Sequence, residues 1–275
     1  MIGIINTYKN IILICIIIVL VIILLSNEKI IIQIESFINS EENNKQDKKA
    51  IVIVEPREHK LLESVIKNFD EIMDPSWDLY VFHGKTKYDY ADKCTKNITK
   101  RKKFLFSLDT DNLTADEYNH LFKQLSFWNK VNADQILVFQ TDTVLCKNSL
   151  YKIEDFMKYD YIGCPYDGNY IGKNPYRAWG DNYFYGIGGL SFRKKSFMLD
   201  CINRNPSVDP NFAEDVFFSN CVNETNNKPE TIKVLNQFCS QFHWLEKSFG
   251  LHKIGGIQNK NDLYSFCPEG KILDE

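Results

Sequence analysis

The chain has 275 residues and is 44% hydrophobic, 25% charged and 13% aromatic, ordinary globular usage that excludes collagen-like, low-complexity and wholly disordered proteins. Its formal charge is -3, from 33 basic and 36 acidic residues; residues 1–49 carry equal numbers of each sign, so the imbalance belongs to the rest, and without a basic excess no nucleic acid is expected as partner. The eight cysteines form no CxxC pair, which argues against a structural zinc site. An odd number of them lies beyond the N-terminal apolar run, so at least one is unpaired within a monomer.

The unbroken apolar run at 11–25 would reach only about 23 Å as a helix, short of a hydrocarbon core of roughly 30 Å. Extended to 7–27, with Tyr8 at the interface and Lys9 snorkelling, it reaches about 31 Å and predicts one N-terminal transmembrane helix. No small-x-small site follows it for cleavage as a signal peptide. Lys9 and the free amine precede the span and Glu28, Lys29 and Glu35 follow it, a bias that places the N-terminus in the cytosol and the body in a lumen or outside, type II. Residues 1–34 are thus read as a membrane anchor and 35–49 (ESFINSEENNKQDKK) as a polar stalk. Residues 50–275 form the domain. Sequons at Asn97, Asn112 and Asn223 are compatible with a lumenal body.

Residues 50–54 (AIVIV) predict a strand buried on both faces. Leu61, Leu62, Val65, Ile66, Phe69 and Ile72 recur at helical spacing. Strands are predicted again at 78–82 (DLYVF), 103–108 (KFLFSL) and 136–139 (ILVF). Thr114 and Glu117 have capping-box spacing and open a helix expected to carry Leu121, Phe122, Leu125 and Trp128 inward. This alternation implies an α/β fold with a mainly parallel central sheet flanked by helices, whose ligands bind beyond the carboxyl ends of the strands.

Two strand ends carry acids. Asp109 and Asp111 suit either a cation or the turn and cap chemistry of the Asn-Leu-Thr that follows. Gln140-Thr-Asp142 follows the most apolar strand with no helix start behind it. Glu214 and Asp215 open an amphipathic stretch, where acids also favour a helix's first turn. Arg57, at the end of the first strand, stands where α/β folds hold nucleotides. The basic run 100–103, with Lys96, is read as a solvated face or a patch for anionic groups. Residues 159–192 are dense in aromatics and hold over half of the chain's 13 glycines. Tyr166, Tyr170, Tyr176, Trp179 and Tyr183 fall there in a Gly/Pro/Asn-rich loop suited to stacking on sugar rings or to packing. Gly188 and Gly189 suit a close backbone approach or a tight turn. Arg193 is expected to meet phosphate or solvent. His252 beside Lys253 reads, taken alone, as a solvated side chain.

FQTDTVLC at 139–146, DYIGCP at 160–165, GGLSFR at 188–193, EDVFFS at 214–219 and His252-Lys253 occur in an order that resembles a family of glycosyltransferase-like domains, formally of unknown function, with a GT-A-like fold. The likeness spans about residues 50–255. It implies a nucleotide-sugar donor, possibly UDP-linked, with Arg57, Gln140, Gly188 and Gly189 around it, and Mn²⁺ or Mg²⁺ held by Asp142 and His252. Gln140 replaces the first carboxylate of the family's Asp-x-Asp; an amide accepts hydrogen bonds but brings no charge. Asp215 is then the general base and Glu214 orients it or binds acceptor. The implied activity is transfer of a monosaccharide to a hydroxyl of a glycan, protein or lipid. The alternatives are a membrane-tethered, non-catalytic carbohydrate-binding module and a cation-dependent phosphodiester hydrolase.

Overall fold

Strand β1 (Lys49–Glu55, KAIVIVE) is buried at every position after its first, as a run of small and β-branched residues must be when helices cover both faces of a parallel sheet. The strand begins one residue before the expected domain edge. The structure, a computed structural model, describes residues 48–165, 185–210, 212–244 and 247–274, all within one compact unit, Asp47–Glu275. The expected membrane span at 7–27, the stalk up to residue 47 and the aromatic loop with Tyr166, Tyr170, Tyr176, Trp179 and Tyr183 lie outside the described residues. Among the described residues no helix is long and apolar enough to cross a membrane.

Around β1 the chain adds helix α1 (Leu62–Ile72), β2 (Trp77–His83), α2 (Tyr88–Thr95), β3 (Lys103–Ser107), α3 (Ala115–Phe122), the single turn α4 (Leu125–Trp128) and β4 (Gln135–Phe139). Strand β5 (Thr143–Leu145) follows, then β6 (Tyr161–Cys164), β7 (Ile187–Lys194), α5 (Lys195–Arg204), α6 (Glu214–Asn223), α7 (Ile232–Phe238), β8 (Cys239–Ser240), β9 (Gly250–His252) and α8 (Lys260–Phe266). The six-stranded sheet has the order β3-β2-β1-β4-β7-β6. Its first four strands are parallel, and β7 and β6 join antiparallel. Successive crossovers leave β1 in opposite directions, toward β2 and toward β4, which opens a crevice beyond the carboxyl ends of β1 and β4. A second, three-stranded sheet, β5-β9-β8, starts at that crevice. Apolar side chains fill both faces of the large sheet, α1 and α7 contributing to one cluster and α3, α5 and α6 to the other.

Two sequence expectations are corrected here. The capping box forms, with Thr114 Oγ1 accepting from Glu117 N–H at 3.2 Å and the Glu117 carboxylate accepting from Thr114 N–H at 2.8 Å. The helix nevertheless stops at Phe122, because the Trp128 indole folds back and donates to the Phe122 carbonyl at 2.7 Å; Leu125, expected inside, is left 37% exposed. The run 100–103 is not simply a solvated face. Arg101 is buried, paired with Asp70 at 2.7 Å, and donates to the carbonyls of Asp70, Met73 and Trp77, closing the otherwise unsatisfied C-terminal end of α1.

Three disulfides join Cys146 to Cys267, Cys164 to Cys239 and Cys201 to Cys221. Among the described residues Cys94 is the buried free thiol, in keeping with the odd count beyond the N-terminal run. The second bridge ties β6 of the large sheet to β8 of the small one.

Candidate active site

Strand β4 ends in Gln140-Thr-Asp142, and the chain then turns sharply: the Gln140 carbonyl accepts from both Thr143 N–H at 3.2 Å and Thr143 Oγ1 at 2.6 Å. The turn starts β5, which pairs Thr143 with His252 on antiparallel β9. Lys253 N–H donates to the Asp142 carbonyl at 3.1 Å, so the 252–253 segment is bound to Asp142 by main chain as well as by side chain. His252 is wholly buried and its Nε2 lies 3.4 Å from Asp142 Oδ1. This corrects the reading of His252 as a solvated side chain. Asp142 keeps 41% of its side chain exposed, facing a cavity of about 180 Å³ that Glu55, Arg57, Tyr118 and Gln140 also line.

Whether these residues suit the cation implied by the resemblance is tested by two atoms. Asp142 Oδ1 and His252 Nε2 are both buried and both lack a hydrogen-bond partner. Gln241 Oε1 sits 2.5 Å from His252 Nδ1 and takes that nitrogen's proton as acceptor, which leaves Nε2 with a lone pair aimed at a carboxylate oxygen. A proton or a cation between them relieves the repulsion. A carboxylate oxygen and an imidazole nitrogen, oriented from behind by an amide, match a hard cation whose remaining ligands are phosphate oxygens and water. Among the described residues no group of three or more His, Cys, Asp or Glu gathers to hold a metal, so the protein's share of such a shell is small. Burial acts to raise the Asp142 carboxyl, but the neighbouring His252 ring and the charge of Lys253 outweigh it and hold the group below its ordinary value.

Gly188 and Gly189 of β7 are explained by this chain's own side chains. A Cβ on Gly189 would lie 2.3 Å from His252 Nε2 and 2.8 Å from Gln140 Oε1, and one on Gly188 would lie 2.0 Å from Glu214 Oε1. The glycine pair therefore lets two groups of side chains close in on β7. On one side stand Gln140, Asp142 and His252. On the other stand Glu214 and Arg193, and beside them Asp215, whose Oδ2 accepts from Gly188 N–H at 3.3 Å. A cavity of about 480 Å³ joins Gln140, both glycines, Asp215, Phe242 and Lys253.

Glu214 and Asp215, adjacent at the start of α6, have different surroundings. Glu214 is buried in a bidentate pair with Arg193, at 2.5 and 2.9 Å. Arg193 also donates to Ser191 Oγ and lies among the rings of Phe122, Tyr161 and Phe218. Burial works against the guanidinium's charge, yet the Glu214 carboxylate more than offsets it and holds Arg193 above its ordinary value. Arg193 thus meets neither phosphate nor solvent as expected, and both carboxylate oxygens of Glu214 are held by its guanidinium. Among the described residues Asp215 has no cationic partner within bonding distance. Loss of water and the charge of Glu214 push its carboxyl up to about 6, against the pull of the Gly188 and Val216 amides. A carboxylate in that range is suited to taking a proton near neutral pH.

Arg57 is half exposed and held by Glu55 through Nε at 2.8 Å and Nη2 at 3.0 Å, so it reaches the smaller cavity with its orientation set. Asp111 is not at the site: it accepts from Thr86 N–H and Oγ1 at 2.7 and 2.8 Å, the turn-chemistry alternative. Asp109 lines a separate cavity beside α3. Tyr118 and Gln241 were not legible as site residues. The Tyr118 ring stacks on Phe122, centroids 4.5 Å apart, and its hydroxyl is buried without a hydrogen-bond partner on the wall between the two cavities. Its helical phase reads as core, and nothing around Gln241 marks it.

The sequence matches, over residues 105–252, the family described as protein of unknown function, DUF5672. No curated protein matches the chain. Among solved structures it is similar to S. aureus TarS 1-349 in complex with UDP, at 11% identity and TM-score 0.41, covering 62% of this chain and 54% of that one. The same protein in complex with UDP-GlcNAc gives 13% identity and TM-score 0.42, with 64% and 54% covered. The chain therefore spans about half the length of these structures.

Proposed function

The chain belongs to the DUF5672 family of proteins of unknown function, and we propose that it is a GT-A-like glycosyltransferase that moves a monosaccharide from a nucleotide-sugar donor, possibly UDP-linked, to a hydroxyl of a glycan, protein or lipid. One observation carries this reading. Two chemically distinct groups, the Asp142–His252 pair and the lone Asp215, close on opposite sides of the Gly188–Gly189 step. Both lie beyond the carboxyl ends of a parallel sheet, where such folds bind ligands.

In this reading the nucleotide occupies the crevice between β1 and β4, with Arg57 and Gln140 beside it. Asp142 and His252 would hold Mn²⁺ or Mg²⁺, which when bound neutralises charge on a diphosphate leaving group. Asp215 accepts the acceptor's hydroxyl proton as that oxygen bonds to the anomeric carbon and the bond from that carbon to the diphosphate breaks. A base placed for direct attack implies inversion at that carbon. Glu214 acts only by keeping Arg193 and the first turn of α6 in place, and its charge helps keep Asp215 basic. The body faces a lumen or the exterior behind the N-terminal span. Three disulfides fit an oxidising compartment.

The test is to incubate the full chain with a panel of nucleotide sugars, with and without Mn²⁺, and to measure free nucleoside diphosphate. Release is expected with one donor, reduced by Asp142→Ala and by about 10²–10⁴-fold for Asp215→Ala. Glycan binding with no release from any donor would instead select the carbohydrate-binding alternative, which Gln140 in place of a carboxylate favours.

A further inference from the structure

Another cavity, of about 320 Å³, is lined by Phe242, His243, Trp244, Gly256, Ile257, Gln258 and Asn259. Phe242 lines both this cavity and the one containing Asp215, so the two meet at its ring. The residue has φ 57°, a left-handed conformation that is costly for a bulky side chain. It is 37% exposed. Lys253, which also lines the Asp215 cavity, is the other non-glycine with positive φ among the described residues.

The lining is chemically selective. Among the described residues no carboxylate, lysine or arginine lines it, which disfavours phosphate, acidic sugars and charged peptides. The wall is made of the Phe242 and Trp244 rings, the side-chain amides of Gln258 and Asn259, the His243 imidazole and Ile257, with a glycine edge. Trp244 is backed by Phe266, ring centroids 6.2 Å apart and 19° from parallel, so its plane is set before any ligand arrives. Asn259 is steadied by a hydrogen bond from Nδ2 to Asp262. Gly255 would have nothing within 4 Å of an added Cβ, and a Cβ on Gly256 would only touch the Phe242 ring at 3.6 Å, so the rim is open on that side. Rigid aromatic faces meeting C–H surfaces, with amides reading hydroxyls, are the recognition chemistry of an uncharged saccharide.

We propose that this cavity is a subsite for a neutral oligosaccharide, taking the sugar unit next to the one presented to Asp215. The assignment deepens the transferase reading and rests on it for the direction of the chain, while the saccharide site itself can be tested without turnover. The full chain is titrated by calorimetry with neutral mono-, di- and trisaccharides of the maltose, chitobiose and lactose series, and with uronic acid disaccharides as the anionic control. Wild type is compared with Phe242→Gly, which removes the ring where glycine's backbone freedom suits φ 57°, and with Gln258→Ala at an exposed position. At least one di- or trisaccharide is expected to bind tenfold or more tightly than its monosaccharide, and each variant to remove that advantage. Affinity independent of length, no saccharide bound, preference for the acidic sugars, or unchanged binding in both variants would overturn the proposal. Nucleoside diphosphate release in the same preparations reports separately. Variant-sensitive binding without release keeps the saccharide site and removes the transferase. Release without such binding does the reverse.

Discussion

Burial of Asp215 sets its ionisation against the stability of the fold. Its folded pKa of about 6 lies above that of an unfolded aspartate, so the native state binds the proton more tightly than the unfolded chain does. Its contribution to stability is full below about pH 4 and is lost as pH rises through about 6. Asp215→Asn is therefore expected to stabilise the fold at pH 7, by on the order of 1–3 kcal/mol, while suppressing transfer; calorimetric melting and donor turnover check the two effects together. In wild type, kcat/KM should fall about tenfold per pH unit below roughly pH 6, because only the ionised form accepts a proton. The neighbouring acid behaves oppositely. Glu214→Ala leaves the buried Arg193 guanidinium without its partner and should cost about 3–5 kcal/mol, read as a lower denaturation midpoint. If Glu214→Ala melted like wild type, the structural role assigned to Glu214 would be wrong.

Strand β7 is the element on which the site depends. Its eight residues, Ile187–Lys194, pair with β4 and β6 at once. It carries the glycine step, the Arg193 that fixes α6, and the amide that holds Asp215. Gly189→Ala would place a methyl 2.3 Å from His252 Nε2, and His252 is packed too deeply to yield by rotation. The expected outcome is a folded protein with far-UV circular dichroism unchanged, but with His252 displaced and turnover reduced at least tenfold. Retention of full turnover would show that His252 need not stay beside Asp142. The short sheet β5-β9-β8 has the complementary task of delivering His252 to the end of β4, from more than 100 residues further along the chain.

For the molecule as a whole, one disulfide binds the small sheet to the main sheet and another binds the C-terminal segment to the end of β5. Cys146 and Cys267 are separated by 121 positions, and closing so long a loop restricts the unfolded chain by roughly 4–5 kcal/mol in the entropic picture. The double variant Cys146→Ser/Cys267→Ser should lower the melting temperature in non-reducing buffer. Reductant should lower that of wild type to a similar or greater extent, since it also opens the other two bridges. A wild-type melting curve indifferent to reductant would mean that the bridges do not support the fold, and would withdraw the argument for an oxidising compartment.

Much of the α/β order was readable because its signals are local. Apolar runs such as IVIV and ILVF can only be strands buried on both faces, and Thr114 with Glu117 marks a helix start whatever surrounds it. Asp142 and Asp215 stood out as candidates by motif and by position at element ends, and the odd cysteine count beyond the N-terminal run required a free thiol. What the tertiary structure alone decided concerns pairings across long separations: Arg193 with Glu214, His252 with Asp142 and Gln241, Arg101 with the end of α1, and which cysteine stays single. A charged side chain looks the same in sequence whether water or a buried counter-ion will solvate it. Only the close packing of distant segments determines which of the two it meets, and hence which acid is held as structure and which is left to react.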